Sequence, residues 1–224
     1  MTFQDMGDLS KFFGLAFSAL LPLVNPLGDA LVFLGLVGSA PPAVYRQLAR
    51  RIATSTTIFL ITIEAAGTFL LKFFGISLPV VQISGGLALA AMGWKLLNQT
   101  EPGDTEKTSE VQGPATRSLE QKVFYPFTFP ITAGPGCIVV MVTLSAHASA
   151  KAVLPMVMAH LGIMLAVVLL STAVYFSYGH ASAITARISP QTSFGILRLI
   201  AFVLLCIGVQ ITSNGLEAIV KRMV

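Results

Sequence analysis

The chain has 224 residues, of which only 11% are charged and 54% are hydrophobic. Soluble globular domains carry charged side chains at roughly a quarter of their positions, so this composition excludes an ordinary soluble domain. A membrane-spanning helix uses about 20 apolar residues, and the apolar residues of this chain suffice for about six such helices. The composition therefore predicts an inner-membrane-type protein that crosses the bilayer several times.

Apolar runs long enough to cross a bilayer occur at about residues 12–37, 52–74, 77–97, 124–147, 152–178 and 194–219. These runs are longer than the strands of a membrane barrel and do not alternate between polar and apolar residues, so we predict an all-α fold with six transmembrane helices. Residues 98–122 are polar and rich in Glu, Thr, Pro and Gly. We predict that they form a flexible cytoplasmic connector between two three-helix halves, residues 1–97 and 123–224.

The Lys and Arg residues favour one side of the predicted membrane. Loops on one side collect nine of them, and loops on the other side collect five. The side richer in Lys and Arg is expected to be cytoplasmic, which places both termini outside. This topology also explains the net charge of +4, so we expect no nucleic-acid partner.

The two halves carry matching clusters of proline and glycine. PLVNPLG occupies residues 22–28 in the first predicted helix, and PITAGPG occupies residues 130–136 in the fourth. The third and sixth helices also align weakly, with Gly93 against Gly208. Because each half contains an odd number of spans, the second half enters the membrane from the opposite side. Inverted repeats with broken helices are typical of secondary transporters.

The prolines predict breaks in the first and fourth helices. A proline inside a helix offers no N–H and clashes with the carbonyl four residues earlier, and such breaks persist in a bilayer only inside protein or beside a watered cavity. A broken helix presents N–H groups to an anion and carbonyls to a cation, which suits a zwitterionic amino acid. The predicted substrate-binding residues are Asn25, Pro26, Gly28, Thr132, Gly134, Pro135 and Gly136. The alternative is that the prolines only kink the helices and shape their packing.

Three charged residues must lie within predicted spans. Asp29 follows the first break, where it is either a proton or cation site or a carboxylate neutralised by the helix N-terminus. Glu64 lies roughly 18 Å into its span. It either faces a cavity as a residue that couples transport to an ion, or pairs with Arg198 or a hydroxyl group. Arg198 lies near the start of its span, where it either extends to the interface or remains inside the bundle.

Several other polar residues have two interpretations each. His160, in the fifth predicted helix, is either hydrogen-bonded between helices or part of a proton relay. Ser84 and Gln210 either join helices or line a cavity. The two cysteines support neither a metal site nor a disulfide framework. Because we find no phosphate-binding loop and no nucleophile with a paired base, we expect no cofactor and no enzymatic activity.

Several of these motifs resemble those of the MarC family of six-span bacterial inner-membrane proteins, which includes SnatA-type neutral amino acid transporters. The similarity covers nearly the whole chain and is carried by NPLG at 25–28, SGG at 84–86, PITAGPG at 130–136, and Arg198 with Gln210. The chain departs from the pattern at Ala201, where a glycine is expected, and this puts a close helix approach in question.

The resemblance implies a secondary transporter in the bacterial inner membrane. It would move small neutral amino acids such as glycine and alanine with a sodium or proton gradient. The alternatives are an exporter of another small metabolite and a non-transporting membrane protein for assembly or sensing. A homo-oligomer is possible.

Overall fold

A computed structural model describes residues 3–38, 40–98, 119, 121–148, 153–185 and 190–223. Nearly all of the predicted connector at 98–122 lies outside these residues, so the division into halves stays a prediction. The described part of the chain is helical, without strands. The predicted all-α fold is thus confirmed for these residues.

The helices are α1 Phe3–Val24, α2 Pro26–Val37, α3 Pro42–Phe73, α4 Leu78–Leu97, α5 Val123–Thr132, α6 Pro135–Ala148, α7 Val153–Gly179, α8 Ala181–Thr185 and α9 Pro190–Met223. The six predicted spans fall on α1 with α2, α3, α4, α5 with α6, α7 and α9. Helix α5 is irregular, because the backbone dihedral angles of Tyr125 and Phe129 are not helical.

Four helical stretches are long and apolar enough to cross a membrane. They are residues 7–37, 42–73, 153–179 and 201–221. The pair α5 and α6, bent by 71°, makes a fifth if it is counted as one span. The 20-residue α4 is not in this set, so six spans in two inverted repeats remain a prediction. Large apolar side chains such as Phe69, Trp94 and Leu165 are exposed on the outer surface, as lipid contact requires.

Helix α7 is central to the core. It packs along α1, α2 and α3, while α3 also packs against α6. Leu20, Leu48 and Ile163 are among the fully buried side chains of this core. Glycine permits the close approach of α1 to α7, because a Cβ atom on Gly162 would lie only 2.4 Å from the carbonyl oxygen of Leu9.

Helices α4 and α9 pack against each other in antiparallel fashion through small residues. A Cβ atom on Gly86 would lie 2.6 Å from the carbonyl oxygen of Gly208, and one on Gly93 would lie 2.8 Å from that of Ala201. Gly86 and Gly93 therefore give α4 a small-residue face towards α9. Ala201 does not prevent the close approach, because the facing Gly93 supplies the space.

Replacing Gly208 by leucine should destabilise the α4–α9 pair. A Cβ atom at this position would lie 2.4 Å from the backbone nitrogen of Ala90, which cannot move independently of its helix. Overpacking of this kind costs about 1–3 kcal/mol. We expect Gly208→Leu to lower the melting temperature of the protein in detergent, as measured by circular dichroism.

Gly35→Leu is the matched control, because a Cβ atom at Gly35 meets no described atom within 4 Å. Equal losses of melting temperature in the two variants would contradict the close packing of α4 and α9.

Candidate functional site

The first break consists of one residue between α1 and α2. Asn25 has left-handed backbone angles (φ 38°, ψ 62°), and its side-chain oxygen accepts a hydrogen bond of 3.1 Å from the backbone N–H of Gly28. Asn25 thus caps the N-terminus of α2. Gly28 has no space for a side chain, because a Cβ atom there would lie 2.0 Å from Nδ2 of Asn25. The sequence NPLG therefore encodes a compact, satisfied break.

The second break lies between α5 and α6, where the chain turns by 71°. Thr132, at the end of α5, donates its hydroxyl proton to the carbonyl oxygen of Phe127 at 2.7 Å. Its oxygen lies 2.8 Å from the hydroxyl of Tyr178 at the end of α7. Since the Thr132 proton is already used, Tyr178 is the donor. Both side chains are fully buried, so the break is anchored to α7.

The two breaks meet around Tyr178. The Phe33 ring, one turn beyond Asp29 on α2, stacks on the Tyr178 ring with centroids 4.7 Å apart. Sequence reasoning missed Tyr178 and Phe33. No periodicity or motif links residue 178 to residue 132, and the two meet only through folding.

Asp29 is the most unusual polar group at this junction. Its Oδ2 atom is buried and has no hydrogen-bond partner among the residues that the structure describes. Burial of an unpaired polar atom is costly, so such an oxygen is suited to accept a proton or a donor group from a ligand. Asp29 also lies in the first turn of α2, where the helix N-terminus favours its negative charge. The two predicted roles are therefore compatible.

Glu64 and His160 form a second polar site. The Glu64 side chain is 3% exposed, and its Oε1 atom is hydrogen-bonded to Nδ1 of His160, which joins α3 to α7. Ser145 of α6 donates to the backbone carbonyl of Glu64 at 2.8 Å. We expected Glu64 either to face a cavity or to pair with Arg198 or a hydroxyl group, whereas the structure pairs its side chain with His160. The His160 side chain is 26% exposed, so only the Glu64 side of the pair is fully buried.

Three of the remaining predicted residues lie away from the breaks. Ser84, Arg198 and Gln210 are exposed on α4 and α9. Ser84 donates to the carbonyl of Val80 within its own helix, and Gln210 donates to the side chain of Asn214. The structure does not bring these three residues to Asp29. Gly136 does lie in the packed region, since a Cβ atom there would lie 2.3 Å from Leu89.

Two cavities flank α3. One of about 870 Å³ lies between α3 and α5, and one of about 480 Å³ lies between α3 and α7. Neither cavity is lined by Asp29 or Glu64. Both acidic side chains are thus separated from these openings. Across the described ranges, no group of three or more His, Cys, Asp or Glu residues is arranged to hold a metal ion.

The apolar outer surface and the buried polar contacts between helices define a polytopic integral membrane protein. The profile described as MarC family integral membrane protein matches residues 10–220, and the chain belongs to this family. The inner membrane proteins MarC of Escherichia coli strain K12 and of Citrobacter koseri are each 30% identical over 223 residues, covering 96% of this chain and 99% of the relative. No solved structure matches. The chain is therefore a multi-pass inner-membrane protein.

The Asn25 cap makes the effect of Gly28→Ala depend on residue 25. In the natural chain the added methyl group displaces the Asn25 side chain, and the lost cap costs about 1 kcal/mol. In an Asn25→Gly background no cap remains to be displaced, and alanine is the better helix former. We therefore expect Gly28→Ala to lower the melting temperature only when Asn25 is present. Additive effects of the two changes would contradict this geometry.

Proposed function

We propose that this protein is a secondary transporter, and not an enzyme, which moves a small neutral amino acid of the glycine or alanine type across the inner membrane by alternating access. The observation that carries the proposal is the buried, unpartnered carboxylate oxygen of Asp29 in the first turn after a helix break. An ammonium group is the natural partner of such an oxygen, because it supplies both charge and hydrogen-bond donors.

The surroundings of Asp29 favour a small zwitterion. The N-terminus of α6 begins at Pro135, directly after the second break, and free N–H groups at a helix N-terminus attract a carboxylate. The aromatic rings of Phe33, Phe127 and Tyr178 are fully buried around the junction. Leu89 also fills the space beside Gly136. These groups leave little volume, which supports glycine or alanine over larger amino acids.

The packing of the helices supports two inverted repeats. Under the predicted repeat, α3 corresponds to α7 and α4 corresponds to α9, and each of these pairs is in direct contact. The contact of α1 with α7 likewise corresponds to that of α5 with α3, and the contact of α2 with α7 corresponds to that of α6 with α3. All of these contacts occur. A two-fold axis in the membrane plane produces this reciprocal pattern. The predicted orientation, with both termini outside, is part of the proposal.

The separation of Asp29 from both cavities is consistent with a closed state. A transporter that alternates between two sides must pass through states in which its site is shut off from water. An exporter of another small metabolite would use the same site, so a panel of substrates decides between these functions. A membrane protein for assembly or sensing would transport none of them.

The first test uses purified protein in liposomes loaded or surrounded with labelled glycine or alanine under sodium and proton gradients. We expect gradient-dependent movement that falls at least tenfold in Asp29→Asn, because the amide removes the charge that holds the ammonium. Asp8→Asn is the matched control on α1 and should transport normally. Background movement of every neutral amino acid tested would exclude the proposed function.

We propose that the proton is the coupling ion and that it binds at Glu64 and His160. A sodium ion requires a shell of oxygen ligands, whereas the Glu64 carboxylate is hydrogen-bonded to an imidazole nitrogen, Nδ1 of His160. A carboxylate and an imidazole in direct contact can share and release a proton. The pair is held between α3 and α7, which correspond in the proposed repeats, so its protonation would alter the contact between the two halves.

Glu64→Gln should abolish the response of transport to a pH gradient while exchange of labelled for unlabelled substrate continues. His160→Gln should have the same effect, because it removes the other proton-binding group. The pH dependence of uptake and of exchange is measured in the same liposomes. If either variant retains the full response to the pH gradient, the proton site lies elsewhere.

A further inference from the structure

The larger cavity is an open groove along the outer side of α3. It lies against the beginning of α5 and has a volume of about 870 Å³. We call it the α3 groove and define it by Arg50, Arg51, Thr54, Ile58, Phe59 and Phe124. The Ile58 side chain is 62% exposed and Phe124 is 53% exposed. In a bilayer these two side chains would face lipid, so the groove opens towards the membrane.

The chemistry of the α3 groove changes along its length. Two guanidinium groups, of Arg50 and Arg51, line one end. Thr54 follows one turn further, and Ile58, Phe59 and Phe124 supply apolar surface beyond it. Thr62, also part of the lining, donates its hydroxyl proton to the carbonyl of Ile58 in its own helix. The Thr62 hydroxyl therefore already has a hydrogen-bond acceptor, and the far end of the groove is mostly apolar.

The groove has the length of one lipid leaflet. Thr62 follows Arg50 by twelve positions, which corresponds to about 18 Å along a helix. Half of the hydrocarbon core of a bilayer is about 15 Å thick. A phospholipid shows the same order of groups over this distance, with an anionic phosphate, then ester oxygens, then an acyl chain. The groove thus matches a phospholipid in order and in length.

We propose that the α3 groove binds one anionic phospholipid. Its phosphate lies at Arg50 and Arg51, and one acyl chain lies along Ile58 and Phe124. Arginine forms paired, charge-assisted hydrogen bonds to phosphate oxygens. A lipid with net negative charge is preferred over a zwitterionic lipid, whose ammonium group would be repelled by the two guanidinium groups. The predicted cytoplasmic position of Arg50 and Arg51 places the site in the leaflet facing the cytoplasm.

The acyl chain would also contact the element that turns at the second break. The Phe59 ring contacts the rings of Phe124 and Phe129 on α5, with centroids 5.9 and 5.8 Å apart. A chain lying over Phe124 would therefore cover the junction of α3 with α5. Binding to the folded state alone raises stability by mass action. We expect the bound lipid to stabilise the protein against heat.

The test is native mass spectrometry and thermal unfolding of the full chain in detergent with added lipid. We expect saturable binding of one phosphatidylglycerol molecule and a rise in melting temperature, with at least fivefold weaker binding of phosphatidylcholine. Arg50→Gln combined with Arg51→Gln should remove this preference. Arg46→Gln combined with Lys72→Gln changes the net charge equally outside the groove and should keep it. Ile58→Ser should weaken phosphatidylglycerol binding without affecting folding, because Ile58 is exposed.

Three results would overturn the proposal. The first is equal binding of the two lipids to the natural chain. The second is an equal loss of preference in both double variants, which would reflect net charge alone. The third is binding of glycerol phosphate as tight as that of phosphatidylglycerol, which would identify a site for a soluble anion. Because none of these measurements involves transport, they are independent of the proposed function.

Discussion

The structure depends on the satisfaction of backbone polar groups where helices are interrupted inside a membrane. Each unsatisfied group in hydrocarbon costs several kcal/mol, so a break survives only if neighbouring groups replace the lost helical bonds. At the first break Asn25 does this locally, through its bond to Gly28. At the second break Thr132 bonds within α5 and is bonded in turn by Tyr178 of α7. One break is closed by its own chain segment, and the other requires a distant helix.

The helices that surround the breaks are fixed by close backbone contact. Gly162 allows α7 to approach α1, and Gly86 and Gly93 allow α4 to approach α9. Small residues serve this purpose in membranes because the lipid offers no hydrophobic driving force for helix association. The Glu64 side chain and the Oδ2 atom of Asp29 are buried within this packing. Their electrostatic interactions are therefore stronger than they would be at an aqueous surface.

The sequence predicted those features that depend on neighbouring residues. Apolar length located the helices, and proline and glycine located the two breaks. It did not predict His160 as the partner of Glu64, which lies 96 residues away, nor Tyr178 as the partner of Thr132, which lies 46 residues away. A helix pattern defines which side of a helix is apolar, whereas the residue opposite a given side chain depends on how the helices are arranged.

Asp29 differs from most other polar side chains of the chain in its hydrogen bonding. Exposed threonines such as Thr54, Thr62 and Thr172 bond to carbonyls of their own helices, so they need no partner from lipid. Buried residues such as Thr132 and Ser145 bond across helices. In the described part of the chain, four buried side-chain oxygens have no partner, and those outside Asp29 are hydroxyls. A hydroxyl without a partner loses one hydrogen bond, whereas a buried carboxylate oxygen also carries charge that must be neutralised. A proton or a bound ammonium group can remove that cost, which is why the proposed substrate site is assigned to Asp29.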